Sequence, residues 1–185
     1  PVSLMMKLAK EEKNSFLLES VTGGEIKGRY SVIGMKPDLI WKCNLEESQI
    51  NRKVLEKSNN FIKQSNPPVL ELKSLIKESY LQIPDNLPAM SAGLFGYLSY
   101  EMINFVKKIS EIKKNDLNSP QSILFRPSII IIIDNIKGEI IIINPIWANH
   151  NNSLRVSSKN LYKKSIKTLN KVIKKISMPL KTCLL

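Results

Sequence analysis

Five side chains that could hold a small polar ligand flank a glycine-bearing loop near the start of the chain. Glu19 and Ser20 end the segment SFLLES, and Arg29, Tyr30 and Ser31 follow the loop TGGEIKG. If the flanking segments are neighbouring strands, these side chains converge. A carboxylate and hydroxyls beside apolar walls could bind the ammonium group of a small ligand. The alternative is structural: an Arg–carboxylate pair and side-chain hydrogen bonds to the backbone would close the loop. The residue types alone favour this alternative.

No other pattern of residues indicates a catalytic or metal site. The sequence has no GxGxxG, no P-loop and no HExxH motif. Its single histidine, His150, lies in a polar segment, and Cys43 and Cys183 lack the spacing of metal ligands or of a disulfide framework. The adjacent pairs Glu11–Glu12 and Glu46–Glu47 would point apart on a helix or strand, so they are poor acid–base pairs. We therefore predict no catalytic residue and no metal ligand in this chain.

The strongly positive charge raises the question of a polyanion partner. The 185 residues carry 28 Lys and Arg against 16 Asp and Glu, a formal net charge of +12. Only four of the basic residues are arginines, whereas nucleic-acid recognition relies on bidentate arginine contacts. We therefore predict no nucleic-acid partner. The longest apolar run, Ile129 to Ile133, is far shorter than the roughly 20 residues that span a bilayer. With no signal-peptide pattern at its start, the chain is expected to be cytoplasmic, without a membrane partner.

The elements that would position the polar side chains predict an α+β fold. Two isoleucine runs, Ile129–Ile133 and Ile140–Ile143, flank the turn sequence DNIKGE, which predicts a central antiparallel hairpin with both strand faces buried. Further strands are predicted in SFLLES, in RYSVIGM and DLIWKCN (two strands around a bend at Lys36–Pro37), in ESQINRK as an edge, and in SAGLFGYL as a buried strand with a close backbone neighbour.

Three amphipathic helices are predicted around this sheet, with a further short helix in YEMINFVKKI and a weaker helix pattern between residues 54 and 65. The first lies in PVSLMMKLAKEE. The second, opened by two prolines, has an apolar face made of Leu72, Leu75, Ile76 and Tyr80. The last has an apolar stripe made of Tyr162, Ile166, Leu169, Val172, Ile173 and Ile176. The expected fold is thus a mostly antiparallel sheet with a central Ile-rich hairpin and packing helices, in one domain over residues 1–185.

Three stretches, in order along the chain, resemble the amino-terminal region of anthranilate synthase component I, a family of chorismate-utilising enzymes. They are PVSLMMKL…SFLLESVTGGEIKGRYSVIGMKPDLIW, LPAMSAGLFGYLSYEMINFVKKI and ILFRPSIIIIIDNIKGEIIIINP. The blocks LLES…GRYS and AGLFGYLSYEM are specific to this group. The resemblance implies the amino-terminal part of the family fold without its carboxy-terminal chorismate-binding domain. A fragment of that kind is expected to be inactive by itself, although the family is a lyase.

The resemblance also implies a regulatory site. The family converts chorismate to anthranilate in tryptophan biosynthesis, with magnesium, using ammonia from a glutamine amidotransferase subunit, component II. L-Tryptophan binds near the LLES segment and acts as a feedback inhibitor. Carried over by residue, the resemblance places Ser20 and Glu19 at the tryptophan site, with Tyr30 and Ser31 beside them. No cofactor is expected on this chain, because magnesium would belong to the complete enzyme.

Two other functions compete with this interpretation. Aminodeoxychorismate synthase component I, of the folate pathway, shares the architecture and related forms of the same blocks, and the identity of the product would distinguish it. A stand-alone basic binding module belongs to another class. Such a module would retain sequence preference for nucleic acid at physiological salt, whereas a merely lysine-rich surface would not.

Overall fold

The structure is a computed structural model that describes residues 1–10, 12–22, 26–44, 46–105, 107, 119–147 and 157–179. For residues 21, 22, 26 and 27 only the backbone is described. The expectations for His150 and Cys183 lie outside these ranges. No helix within them is long and apolar enough to cross a membrane.

Seven strands and three α-helices occur in the described ranges. The strands are β1 (Phe16–Thr22), β2 (Ile26–Cys43), β3 (Ser48–Asn51), β4 (Ile62–Lys63), β5 (Phe95–Leu98), β6 (Ser122–Asp134) and β7 (Glu139–Ile143). The helices are α1 (Val2–Ala9), α2 (Pro68–Glu78) and α3 (Ser158–Ser177), with short 3₁₀ helices at Ala89–Ser91 and Tyr100–Phe105. The strand pairs β1–β2, β2–β3, β3–β4, β5–β6 and β6–β7 are all antiparallel. The predicted α+β class, with a mostly antiparallel sheet, is confirmed.

The chain divides into two compact units. Unit 1 comprises Pro1–Lys36 and Ser128–Leu185, and unit 2 comprises Pro37–Pro127. Each unit therefore contains one end of β2 and one end of β6. The candidate site predicted from the sequence belongs to unit 1.

Unit 1 buries its core between sheet and helices. β1 pairs with β2, with Leu17 opposite Ile33, and β6 pairs with β7. Leu4 and Leu8, one helical turn apart, give α1 a buried face. The core of this unit contains Leu4, Leu8, Ala9, Ile33, Met35, Ile129, Ile131 and Val172. Close packing of these side chains makes the sheet a rigid support for residues that extend beyond it.

The strand order of the sheet is β4–β3–β2–β6–β5, and unit 2 contains β3, β4, β5 and parts of β2 and β6. Its buried core contains Leu39, Trp41, Cys43, Ile50, Leu75 and Leu124. Gly96 on β5 is required by a close approach, because a Cβ built there would lie 1.9 Å from the carbonyl oxygen of Ile123. The predicted close backbone neighbour is thus confirmed. The predicted burial is wrong, since Gly96, Tyr97 and Leu98 are exposed and Phe95 is only partly buried.

β2 is one continuous strand, so the predicted break at Lys36–Pro37 is wrong. Lys36 has φ +51, a left-handed conformation that is uncommon for a non-glycine residue. Its Nζ lies 3.0 Å from Glu12 Oε1. The irregularity is confined to this position, because the φ of proline is compatible with extended backbone, and the strand continues to Cys43.

β3 is an interior strand of unit 2, not the predicted edge. β4 pairs with its outer side, with Gln49 opposite Lys63 and Ile50 opposite Ile62. The segment in which a helix was considered, residues 54–65, contains turns and β4 instead. A strand of two residues has no periodicity that a sequence could reveal.

The isoleucine hairpin forms as predicted, with Ile131 opposite Ile142. Ile129 to Ile132 on β6 are buried. The predicted burial of both faces is wrong for β7, where Ile140 is 50% exposed and Ile141 to Ile143 are partly buried. Among the described strands β7 pairs with β6 alone, so no described strand pairs with its other edge.

The apolar faces of α2 and α3 are narrower than predicted. On α2, Leu75 is buried, whereas Ile76 and Tyr80 are exposed; Tyr80 lies beyond the helix, where helical periodicity no longer applies. On α3, Val172 and Ser165 are buried. Of the predicted α3 stripe, Val172 is buried and Ile176 packs partly buried against the core of unit 1, whereas Tyr162, Ile166 and Ile173 are exposed.

Candidate functional site

The predicted site lies where the β1–β2 ladder loses its register. Glu19 pairs with Ser31, but the next pair is Val21 with Lys27. One residue of β1, Ser20, therefore faces three residues of β2, from Gly28 to Tyr30. Such irregularities bend a strand and re-aim its side chains. All four predicted site residues lie at or beside this irregularity.

Ser20 packs directly on Gly28. A Cβ built on Gly28 would lie 2.5 Å from both Cβ and Oγ of Ser20, and 2.9 Å from its carbonyl oxygen. Only glycine leaves room for the Ser20 side chain here. The side chain of Ser20 is otherwise exposed. Its hydroxyl therefore lies at the protein surface, while the side chain packs on the backbone of Gly28.

Glu19 and Ser31 are cross-strand partners, so their side chains lie on the same face of the sheet. Glu19 is exposed, whereas Ser31 is only 2% exposed. Two residues earlier on the same face, Leu17 packs against the core of unit 1. The neighbouring Leu18 is 47% exposed, so only one of the two leucines anchors the strand in the core.

Arg29 forms a bond that the sequence interpretation did not assign. Its Nε and Nη2 donate to Asp134 Oδ2 at 3.2 and 3.0 Å. This hydrogen bond raises the pKa of Arg29 and lowers the pKa of Asp134, with smaller contributions from the Lys137 and Ile136 amides. Asp134 is 3% exposed at its side chain. Arg29 thus forms the Arg–carboxylate pair expected in the structural alternative. Asp134, at the end of β6, supplies the carboxylate.

Tyr30 lies beside this pair. The Arg29 guanidinium carbon is 4.8 Å from the centroid of the Tyr30 ring, within the range of a cation–π contact. The tyrosine side chain is half-buried. The structure therefore brings Glu19 next to Ser31, Ser20 against Gly28, and Tyr30 against Arg29.

Asn135, one residue after Asp134, also contacts the predicted site. Its backbone N–H donates to the Arg29 carbonyl at 2.7 Å. Its side-chain Nδ2 donates to the Gly28 carbonyl at 2.9 Å and to Ser31 Oγ at 3.4 Å. Sequence reasoning missed Asp134 and Asn135 because they lie more than 100 positions from Arg29 and their residue types are explained by the turn alone.

Unit 2 contains a separate buried ionic cluster. Arg126 donates to Asp38 at 2.9 and 2.7 Å and to Glu78 at 3.1 Å, and Glu78 also accepts from Arg52. Arg126 is buried, and its charge is matched by two carboxylates. The cluster therefore fits a structural role, since removing one partner would leave a buried charge uncompensated.

Cys43 has the properties expected of a structural thiol. It is free and buried, with its Sγ 3.5 Å from Met102 Sδ. Burial raises the pKa of this thiol, so the reactive thiolate is disfavoured. A shallow cleft of unit 2 reaches it and is lined by Lys42, Cys43, Asn44, Glu47, Gln49 and Pro120. None of the predicted site residues lines this cleft.

Comparison with known proteins gives a consistent picture. No protein-family model matches the chain. It is 46% identical, over 157 residues, to anthranilate synthase component 1 of Cereibacter sphaeroides, an alignment that covers 85% of the chain and 31% of that relative. It is 33% identical over 152 residues to anthranilate synthase component 1 of Neisseria meningitidis, covering 77% of the chain and 29% of the relative. The chain thus spans about one third of the length of the curated relatives it matches.

A solved structure agrees with these relatives. The crystal structure of anthranilate synthase component I from Streptococcus pneumoniae superposes with a TM-score of 0.62 at 18% identity. The match covers 88% of the chain and 32% of that protein. At this identity the likeness supports the fold alone. The resemblance drawn from the sequence blocks is confirmed by the curated relatives.

Proposed function

Because the chain belongs with anthranilate synthase component I, whose amino-terminal region it resembles, we propose that it is the tryptophan-sensing part of such an enzyme. The complete enzyme would form anthranilate from chorismate, with ammonia supplied by a glutamine amidotransferase subunit. In this proposal the chain contributes regulation and not the reacting groups. L-Tryptophan is the expected inhibitor.

The observation that carries the proposal is the placement of Ser20 and Glu19. Both side chains are exposed, at the point where the β1–β2 ladder breaks. Leu17 fixes the same strand in the core of unit 1. An exposed hydroxyl on a rigid strand can bond the polar end of an amino acid. The register break re-aims the side chains beside it, so the carboxylate of Glu19 can offer negative potential to the ammonium group of the same ligand.

Tyr30 and Ser31 have less direct roles in this proposal. Ser31 is buried beside Glu19 and accepts from Asn135, so it supports the base of the site. Tyr30 presents a half-buried ring, held against Arg29, which suits contact with the apolar part of a ligand.

In the described ranges no group of three or more His, Cys, Asp or Glu side chains is close enough to hold a metal ion. We assign no step of the reaction to a metal held by these residues. In the proposal, magnesium and the chorismate-binding groups belong to the remainder of the complete subunit.

The experiment is a chimeric subunit. This chain replaces the matching region of the Cereibacter sphaeroides anthranilate synthase component 1, and anthranilate formation from chorismate, ammonia and magnesium is titrated with L-tryptophan, with L-phenylalanine as the control. We expect selective inhibition by tryptophan. A chimera that is active but insensitive to tryptophan, at concentrations that inhibit the parent, contradicts the proposal. None of the relatives described above is an aminodeoxychorismate synthase, so no observation favours that alternative.

A further inference from the structure

The segment from Gly28 to Ser31 cannot be held by β1 alone. In the β1–β2 ladder, Lys27 and Ser31 have partners on β1, whereas Gly28, Arg29 and Tyr30 have none in the register. A strand normally derives its position from its ladder of cross-strand hydrogen bonds. Its backbone groups must find other partners where that ladder is interrupted.

The β6–β7 turn supplies those partners. Asn135 donates its backbone N–H to the Arg29 carbonyl and its side-chain N–H to the Gly28 carbonyl, at 2.7 and 2.9 Å. The same Nδ2 lies 3.4 Å from Ser31 Oγ. One asparagine therefore bonds three of the four residues from 28 to 31.

Asp134 fixes the turn and the segment to each other. Its Oδ2 accepts from Arg29, and its Oδ1 accepts from the backbone amides of Ile136 and Lys137 at 3.0 and 3.1 Å. Gly138, with φ +67, donates its N–H to the Asp134 carbonyl at 2.8 Å and closes the turn. One carboxylate oxygen of Asp134 thus accepts hydrogen bonds from the turn, and the other accepts them from β2.

We infer that Asp134 and Asn135 are positioning residues for the effector site: they hold the segment from Gly28 to Ser31 on which Ser20 packs. The inference rests on the proposed function, because it assigns to this turn the geometry of the tryptophan site. The turn does not touch the ligand in this account. It sets the position of Gly28, against which the Ser20 side chain lies.

The test uses the chimeric subunit with two substitutions in the turn. Asn135→Ala removes the side-chain bonds to Gly28 and Ser31 and leaves the backbone bond to Arg29. Asp134→Asn keeps the shape of the side chain and the acceptor for the turn amides, and weakens the pair with Arg29. Lys137→Ala is the matched control, because only the backbone N–H of this exposed turn residue contacts Asp134.

We expect the tryptophan inhibition constant to rise about tenfold in Asn135→Ala and in Asp134→Asn, the effect of losing one to two hydrogen bonds. In Lys137→Ala the tryptophan inhibition constant should stay within roughly twofold of the parental value, because surface substitutions usually have small effects. The uninhibited kcat, the KM for chorismate and the melting temperature are measured for each variant. A merely structural role would alter the melting temperature and leave the inhibition constant unchanged.

Ser20→Phe separates failure of the inference from failure of the proposed function. If Ser20→Phe abolishes inhibition while Asn135→Ala and Asp134→Asn retain the parental constant, the positioning role is overturned and the proposed function stands. If Ser20→Phe retains inhibition, or the unsubstituted chimera is not inhibited, the proposed function fails and the positioning role fails with it.

Discussion

At the scale of residues, two glycines of β2 pack against β1 in different ways. A Cβ on Gly28 would meet the Cβ, Oγ and carbonyl oxygen of Ser20. A Cβ on Gly34 would meet the far end of the Phe16 ring, with Cζ at 2.2 Å. A ring end can move by rotation of its side chain, whereas a Cβ and a carbonyl oxygen move only with the backbone. The same substitution should therefore have different consequences at the two positions.

Gly28→Ala is expected to displace Ser20 and weaken tryptophan inhibition of the chimeric subunit. The overpacking should cost about 1–3 kcal/mol of stability, and the shift of β1 should raise the inhibition constant. Gly34→Ala is the matched control: it should lower the melting temperature and retain inhibition. Inhibition constants and melting temperatures are measured for both. Equal inhibition constants in the two variants would mean that contact with Gly28 does not set the position of Ser20.

Asp134 gives a pH dependence whose sign follows from its partner. The Arg29 bond holds the pKa of this carboxyl below its ordinary value of 3.8 in the folded state. The unfolded chain therefore binds the proton first as pH falls. The stability that this carboxylate contributes is fully present above about pH 4, and it is lost as pH falls through the lowered folded-state pKa.

Asp134→Asn should remove this component. We expect the urea midpoint of the variant to lie below that of the parent at neutral pH, and the two midpoints to converge as the pH is lowered below about 4. The measurement is urea denaturation, followed by circular dichroism, over a series of acidic and neutral buffers. Midpoints that run parallel over the whole series would show that the Asp134 carboxylate is not stabilised by folding.

At the scale of elements, the β6–β7 hairpin was the part most easily predicted from the sequence. The runs Ile129–Ile133 and Ile140–Ile143 and the turn residues between them specify pairing and turn together. Patterns of this kind do not state which strands lie next to the hairpin. The uneven burial of its two strands, with Ile131 fully buried and Ile140 half exposed, depends on neighbours distant in sequence.

Ile131→Asp is expected to abolish cooperative folding, because Ile131 is 0% exposed. Burying even a neutral polar group without a hydrogen bond costs about 2–7 kcal/mol, and an unpaired charge costs more. Ile140→Asp, on the partner strand and 50% exposed, is the matched control and should unfold cooperatively near the parental midpoint. Urea denaturation followed by circular dichroism compares the two. A soluble, cooperatively folded Ile131→Asp chain would contradict this placement of β6.

The pairing of Glu19 with Ser31 was also predictable, since LLES and GRYS flank one short loop and antiparallel pairing brings the two segments side by side. The register break at Ser20 was not, because the residues of the two segments do not specify where their pairing shifts. The contacts of Asp134 and Asn135 with β2 could not be predicted from the sequence either. They join residues more than 100 positions apart, and local sequence patterns describe only neighbours in the chain.

At the scale of the whole molecule, the chain spans 31% of its Cereibacter sphaeroides relative. We expect the 185-residue chain alone to form no anthranilate from chorismate, ammonia and magnesium, because the groups for that chemistry are assigned to the rest of the complete subunit. The measurement is anthranilate fluorescence with the purified chain, with the chimeric subunit as the positive control. Fluorescence above background from the chain alone would place reacting groups within it.

The tryptophan inhibition constant of the chimeric subunit, compared between Ser20 and its substitutions, tests the central claim most directly. Loss of one hydrogen bond to a charged group costs roughly 1.5–3 kcal/mol, or about ten- to a hundredfold in affinity. Ser20→Ala should therefore raise the constant by that factor, and Ser20→Phe, which also fills the space beside Gly28, should nearly abolish inhibition. The uninhibited rate is recorded for each variant to verify folding. An unchanged inhibition constant in Ser20→Phe would contradict the account and leave the segment with a structural role only.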